Sequence, residues 1–400
     1  MHIAYITSEF ITEKWHGGLA TYLTNIAMIM SSHGHKVTVI TLSDQTGNVS
    51  YADNIEVVRV PAVDVRSIEL PIGHGLDLLK NSWRLYEALK KENKREKIDI
   101  VQAANYQAVG FFRSYSIPTV SRISSDSSMW RNAGGYRFDY NKSLHEMVFE
   151  DVLELWCAKR ADAAFAPSRF CASVIQKRAG KKVSVIESPY FERRCEPDDS
   201  VYKEKLLQKK YLLFNSTLSR LKGTHIGIEV TELLMEKYPD LHIVYAGYDC
   251  GLSQKNGGVQ SISDILKKQN RKYRGRVIYL KHLSHETLFP IVKHSLACVL
   301  PSRVDNLPNS CIEAMSLGSI VIGTYGASFE QLIKNKENGL LIKRDSADSL
   351  MKAVDYLMDM PENERQAMRE KAVSTVSRLS PENIYTKTVD FYKKVIEGKA

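Results

Sequence analysis

Short β-branched runs alternate with longer amphipathic stretches from one end of this 400-residue chain to the other, and that alternation restricts the fold to an α/β class with parallel sheets. The first series runs HIAYIT, a helical stretch from Ala20 to Ser32, KVTVIT and IEVVRV, then DIVQAA, IPTVSRI, DAAFAPS and KVSVIES. It breaks at SPYFERRCEPDDS, where charge and proline replace periodicity. A second series starts at YLLFNST and continues through LHIVYAG, RVIYLKHL, LACVLPS, SIVIGTYG and NGLLIK. Length agrees with two cores, since 400 residues exceed one ordinary domain. The expected layout is an N-terminal domain over 1–190, a linker over 191–204, a C-terminal domain over 205–380 and a closing helix over 381–400 directed back toward the N-terminal domain. Both domains should be doubly wound. Ligands of such sheets bind beyond the carboxyl ends of the strands, so the expected site is a cleft that the two sheets face.

Composition narrows the class. The chain is 44% hydrophobic and 25% charged, ordinary for globular proteins, and no window reaches the roughly 18 to 20 apolar residues of a bilayer span. MHIAYITSEF has neither a basic leader nor a small-residue cleavage site, so a cytoplasmic location is expected. Cys157, Cys171, Cys195, Cys250, Cys298 and Cys311 form no CxxC pair and several lie in apolar stretches, which predicts reduced, buried thiols. A formal charge of +9 attracts polyanions: nucleic acid, an anionic membrane face or a phosphorylated ligand. Helix-turn-helix, zinc-finger and RNP-like signals are all missing, which sets nucleic acid aside.

Three places carry candidate chemistry. Gly17 and Gly18 precede a helical period that begins at Leu19, where free N–H groups and a close backbone approach suit a phosphate; the alternative is a simple turn, and the GxGxxG fingerprint of dinucleotide binders is absent. Arg220 and Lys222 lie on the loop after YLLFNST, where a cation would neutralise a diphosphate leaving group or else merely face solvent. The most informative segment is Pro301 to Gly318, PSRVDNLPNSCIEAMSLG, a loop leading into a helix stopped at Gly318. Asp305 and Glu313 are eight apart, which leaves Asp305 on the loop and Glu313 about one turn inside the helix. Both carboxylates then face a ligand lying across the helix N-terminus. Carboxylates accept from vicinal hydroxyls, and the N–H groups of Asn309, Ser310 and Cys311 suit an anion. The competing reading is an ordinary helix capped by Asn309 or Ser310.

These residues give the chain a resemblance to the retaining nucleotide-sugar glycosyltransferases of family 4, which have the GT-B fold of two Rossmann-like domains facing across a cleft. The family signature, ExFGxxxxEAMAxGxPV, reads here as DNLPNSCIEAMSLGSIVI, with Asp305 in place of the first Glu and Asn306, Leu307 and Pro308 in place of the glycine turn. GGLATYL, GHKVTVITL, APSRF and PDLHIVYAG also fall in the family's order. The resemblance implies that Glu313 holds the donor ribose, that Asp305 and the backbone after it hold the sugar, that Lys222 pairs the diphosphate, and that Gly17 and Gly18 add backbone contacts. Two departures stand out. The family's diphosphate arginine is Thr217 here, so Arg220 would have to act from another place. Its N-terminal histidine is Ser124, which leaves Arg122 and Asp126 as neighbours for sugar or acceptor.

The resemblance thus implies a metal-independent transfer from a nucleoside-diphosphate sugar to a glycan or lipid-linked acceptor in cell-surface polysaccharide or glycoconjugate synthesis. The family's front-face displacement needs no enzyme nucleophile, no D-x-D motif occurs, and the nucleotide sugar is a substrate, so no cofactor is expected. His282, just past RVIYLK, is the candidate base contact; the remaining histidines form no HxxxH or HExxH pair. Residues 80–97 are basic and helical with Trp83 and Tyr86, which suits either peripheral contact with the inner membrane face or a solvated helix. Residues 129–142, MWRNAGGYRFDYNK, are expected as a loop able to stack on sugars. A degenerate, non-catalytic sugar-nucleotide or glycan-binding subunit stays open as an alternative, and a sugar-nucleotide epimerase is a further one for which no acid-base set is visible.

Overall fold

The computed structural model describes every residue except 15–16, 64–72, 125, 135–143, 193–195, 254–257 and 400. The chain divides into two units, one of Met1–Arg131, Phe138–Pro189 and Leu379–Ala400, the other of Asn132–Arg137 and Tyr190–Arg378.

The first unit holds β1 (His2–Thr7), β2 (Lys36–Ser43), β3 (Gly47–Ala52), β4 (Ile55–Pro61), β5 (Ile100–Ala104), β6 (Thr119–Arg122), β7 (Ala163–Ala166) and β8 (Ser184–Val185) in the order β3-β4-β2-β1-β5-β6-β7-β8. Its helices are α1 (Gly18–Ser32), α2 (Gly73–Arg95), the start of α3 (Ser127–Gly134), whose residues from Asn132 count with the second unit, α4 (Leu144–Arg160) and α5 (Arg169–Ala179). Near-continuous apolar strands are what a parallel sheet covered on both faces requires. The period of two sorts them: Ile3 and Tyr5 pack with Tyr22, Leu23 and Ile26 of α1, while Ala4 and Ile6 pack with Leu85 and Leu89. β3 pairs antiparallel with β4 at the edge. GNVSYA is half exposed and half partly buried, and its alternation is confined to Val49 and Tyr51, too short for periodicity to reveal it.

The second unit holds β9 (Lys210–Asn215), β10 (Leu241–Ala246), a small hairpin of β11 (Leu252–Ser253) and β12 (Val259–Gln260), β13 (Val277–Tyr279), β14 (Ala297–Leu300), β15 (Val321–Thr324) and β16 (Leu340–Ile342). Its main sheet runs β13-β10-β9-β14-β15-β16, parallel throughout. Around it lie α6 (Ser200–Lys205), α7 (Thr224–Lys237), α8 (Ile262–Lys272), α9 (His285–Lys293), α10 (Asn309–Ser316), α11 (Ala347–Asp359) and α12 (Glu362–Ser377). Leu212, Phe214, Ile243 and Tyr245 of the central strands meet Ile226 and Val230 of α7 and Leu350 and Val354 of α11 in one core. Each such buried side chain contributes about 1.5 to 3 kcal/mol.

The chain ends in α13 (Pro381–Ile396), which belongs to the first unit. Ile384, Val389, Tyr392 and Val395 join the cluster of α1 and β1. His33 stacks on Tyr385 at 3.6 Å between centroids, and His35 Nε2 lies 3.0 Å from the Tyr385 hydroxyl, so these histidines fasten the tail helix.

Two sequence expectations are corrected. Ser127–Gly134 is helical, so the first part of the expected loop over 129–142 is α3, while 135–142 lie outside the described residues. Cys157, Cys171, Cys298 and Cys311 are buried free thiols, but Cys250 is exposed because it follows β10 on an outer loop; Cys195 lies outside the described residues.

Candidate active site

In the second sheet β9 continues to β10 on one side, while its other neighbour, β14, comes much later in the chain, so the strand order reverses between β9 and β14. At such a switch point the two following loops diverge and leave a crevice. The loop after β9 carries Ser216 and Lys222; the loop after β14 carries Ser302 and Asp305. The two loops are drawn together by backbone. Arg303 N–H donates to the Leu221 carbonyl at 2.8 Å, and Gly223, at φ 74°, lies so close to Pro301 that a Cβ there would sit 1.9 Å from its carbonyl oxygen. Only glycine suits both the left-handed backbone and that approach.

The consequence is an ion pair. Lys222 Nζ donates to Asp305 Oδ2 at 2.6 Å, with both side chains largely buried. Asp305 Oδ1 accepts from Asn306 N–H at 3.0 Å, and its carbonyl accepts from Ser328 Oγ at 2.7 Å, which fixes the turn. Ser216, Lys222, Leu300, Ser302, Asp305, Leu307, Pro308, Asn309, Ser310 and Phe329 line a cavity of about 170 Å³. Its floor is the start of α10. Pro308 is the N-cap and supplies no side-chain hydrogen bond, so neither Asn309 nor Ser310 plays the capping role; their N–H groups belong to the helix end that favours anions. Cys311 N–H is already used, donating to the Pro308 carbonyl at 3.0 Å.

Glu313 is the fifth residue of α10 and its side chain is largely buried. His285 Nε2, at the first position of α9, lies 3.6 Å from a Glu313 carboxylate oxygen. Burial pushes the nearby Cys298 thiol up to about 11, so it is protonated and inert. His282 is exposed and stacks on Tyr248, 4.1 Å between centroids and 14° apart. Neither ring lines the cavity; the nearest link is Gly247, next to Tyr248, which packs so tightly on the cavity residue Ser216 that a Cβ would sit 1.9 Å from the Ser216 carbonyl oxygen.

Lys222, Asp305, Leu307, Pro308, Asn309 and Ser310 thus line one cavity, with Glu313 one helical turn away, while Asn306 does not line it and serves instead as a backbone donor to Asp305. Arg220 is not among the cavity-lining residues; its charge falls near His225, whose own acidity is set by burial first and then by that charge. Thr217, at the family's arginine position, is exposed.

In the first unit the remaining candidates have other contacts. Gly17 is the N-cap of α1, but the end of that helix already receives a carboxylate: Ala20 N–H donates to Glu9 Oε1 at 3.1 Å. Gly18 is its first residue. Arg122 is 5% exposed, with its guanidinium 3.4 Å from the centre of the Tyr22 ring and donating to Ser124 Oγ at 2.8 Å. The cavity it touches, about 10 Å³, holds no more than a water. Asp126 is buried, ion-paired with Arg178, and accepts from Met129 N–H at 3.2 Å at the start of α3. Sequence reasoning passed over Ser216, Ser302, Phe329, His285, Tyr248 and Glu9. Of these only His285 left a signal, as the second histidine of HLSH at a helix start.

Two sequence profiles match, one for each unit: Glycosyltransferase Family 4 over residues 16–189 and Glycosyl transferases group 1 over residues 198–375. Sucrose-phosphate synthase from Thermosynechococcus elongatus superimposes with a TM-score of 0.73 at 16% identity, covering 99% of each chain. HepE of Anabaena, solved in complex with UDP-glucose, does so with a TM-score of 0.66 at 15% identity, covering 98% of this chain and 100% of that one. Two Rossmann-like parallel sheets of this kind define the GT-B glycosyltransferase fold. An uncharacterised glycosyltransferase of Methanocaldococcus jannaschii is 22% identical over 99% of both chains. The chain belongs to the glycosyltransferases of family 4, group 1.

Proposed function

We propose that this glycosyltransferase is a retaining, metal-independent enzyme that moves a sugar from a nucleoside-diphosphate donor to a hydroxyl of a glycan or lipid-linked acceptor, in cell-surface polysaccharide or glycoconjugate synthesis. The observation that carries this reading is the convergence of Lys222, Asp305 and the start of α10 on one cavity at the switch point of the second sheet, with Glu313 one turn further along the same helix. A diphosphate is met by Lys222 and by the Asn309 and Ser310 N–H groups, which stabilise the charge that grows on the leaving group. Asp305 and Glu313 accept from hydroxyls, Asp305 on the sugar side and Glu313 on the ribose side. The exposed Tyr248–His282 stack, on the chain beside Gly247, suits a flat nucleobase. UDP-glucose in the HepE complex supports the donor class.

Because the donor diphosphate draws the acceptor proton in a front-face displacement, the protein's work is to position and to stabilise charge. The test is incubation with a panel of radiolabelled nucleotide sugars, with and without candidate acceptors. Transfer or slow donor hydrolysis, with the product anomer unchanged in configuration and activity unaffected by a chelator, is expected. Chelator inhibition reversed by manganese or magnesium removes metal independence, and an inverted product removes retention. Tight donor binding with neither transfer nor hydrolysis would identify a non-catalytic subunit, the reading that exposed Thr217 favours.

A further inference from the structure

We propose that the outer face of α2 docks this protein on an anionic lipid bilayer. The inner face of the helix already has its task, since Leu78, Leu85 and Leu89 are buried. The opposite face ties to the fold through Arg84, which donates to the Pro61 carbonyl at 2.8 Å, yet it carries large apolar side chains: Leu76 is 36% and Trp83 48% exposed. Leu76, Leu79, Trp83 and Phe112 line an open groove of about 340 Å³ together with Lys80 and Arg84.

The apolar surface continues beyond the groove as a series of ring contacts. Trp83 meets Phe112 edge-on at 5.2 Å, Phe112 meets Phe111 at 5.2 Å, and the Arg160 guanidinium lies 5.2 Å from the centre of Phe111. Arg160 ends α4, on which Trp156, one turn earlier, is 48% exposed and Val152, two turns earlier, 42%. Two helices of one unit therefore each offer a tryptophan to solvent, and Arg160 lies on the ring series beside one of them.

Charge decides the occupant. A symmetric contact with a second copy would bring Lys80 and Arg84 against their own counterparts, which repel. An apolar protein partner would leave both charges without a counter-ion, since Arg84 meets only the neutral Pro61 carbonyl. Anionic headgroups pair with them while their alkyl stems and the indole rings enter the interfacial layer, where tryptophan is favoured. Glu87 on the same helix is neutralised by Lys90 at 2.9 Å, and the formal charge of +9 adds a long-range attraction to the same surface.

The test is co-sedimentation of the full chain with vesicles of phosphatidylglycerol and phosphatidylcholine, against phosphatidylcholine alone. Binding to the anionic vesicles only, released by about 0.5 M salt, is expected. The pair Lys80→Glu/Arg84→Glu and the pair Trp83→Ala/Phe112→Ala should each weaken it about tenfold or more. Both variants should bind soluble UDP as before and the charge pair should also keep the wild-type melting curve, so failure here is separable from failure of the donor assignment. Equal binding to neutral vesicles, no binding to either, or binding unchanged in both variants overturns the proposal. So does a concentration-dependent dimer that Trp83→Ala abolishes.

Discussion

Lys222 and Asp305 neutralise one another at 2.6 Å, so a donor diphosphate must engage a cation already in use. Breaking that pair from the acid side separates binding from chemistry. Asp305→Asn should leave UDP affinity unchanged or raise it severalfold, because the competing carboxylate is gone, while transfer falls about a hundredfold or more with the loss of a sugar contact. Titration calorimetry beside a transfer assay reads both; parallel losses would contradict the pairing argument. Glu313→Gln tests the other end. Losing a charged acceptor is worth about 1.5 to 3 kcal/mol, so UDP affinity should fall about ten- to a hundredfold. A 2′-deoxy nucleotide should then lose little more in the variant, since hydroxyl and carboxylate are removed as one interaction.

The elements that bring these residues together depend on backbone geometry that side-chain chemistry cannot replace. Gly223→Ala adds a left-handed strain and a clash with Pro301, and should lower stability by about 2 kcal/mol or more, read as a depressed melting temperature together with weakened UDP binding. The loop after β10 is sewn to α8 by Asp249, which accepts from Ser263 and Gly251 N–H at 2.9 Å, from Ser261 Oγ at 3.0 Å and from Ile262 N–H at 3.2 Å. Burial works to raise the pKa of this carboxyl, but those hydrogen bonds outweigh it and hold it below its ordinary value. A folded pKa below the unfolded one gives stability that is complete above the unfolded value and is lost as pH falls through the folded value. Below about pH 4, wild-type stability should therefore decline more steeply than that of Asp249→Asn, followed by thermal melts across an acid series. Sequence periodicity made the two parallel sheets and the strand-loop-helix setting of Asp305 and Glu313 readable, because apolar pattern and helix stops are local. It could not show Lys222 against Asp305, which are 83 residues apart and meet only through strand order. Nor could it show Glu9 at the N-terminus of α1, or Arg122 sealed beneath Tyr22, since burial of a polar residue depends on what the rest of the chain covers.

At the scale of the whole molecule, the chain leaves the first unit for its long excursion after Pro189 and returns to it at Leu379. Ile384, Val389, Tyr392 and Val395 of α13 are all buried in that unit, and four such side chains at about 1.5 to 3 kcal/mol each rival a domain's entire stability of about 5 to 15 kcal/mol. A fragment ending at Pro189 should accordingly aggregate or bind hydrophobic dyes, and a peptide spanning 379–400 should restore a cooperative melt; a fragment of 1–189 that melts cooperatively alone would refute this. The same tail governs the order of manufacture. A ribosome delivers the sheet of the first unit early and its closing helix last, after every residue from 190 to 378, an interval on the order of 10 to 40 s at about 5 to 20 residues per second. For that time the newest protein in the cell carries an unfinished apolar face.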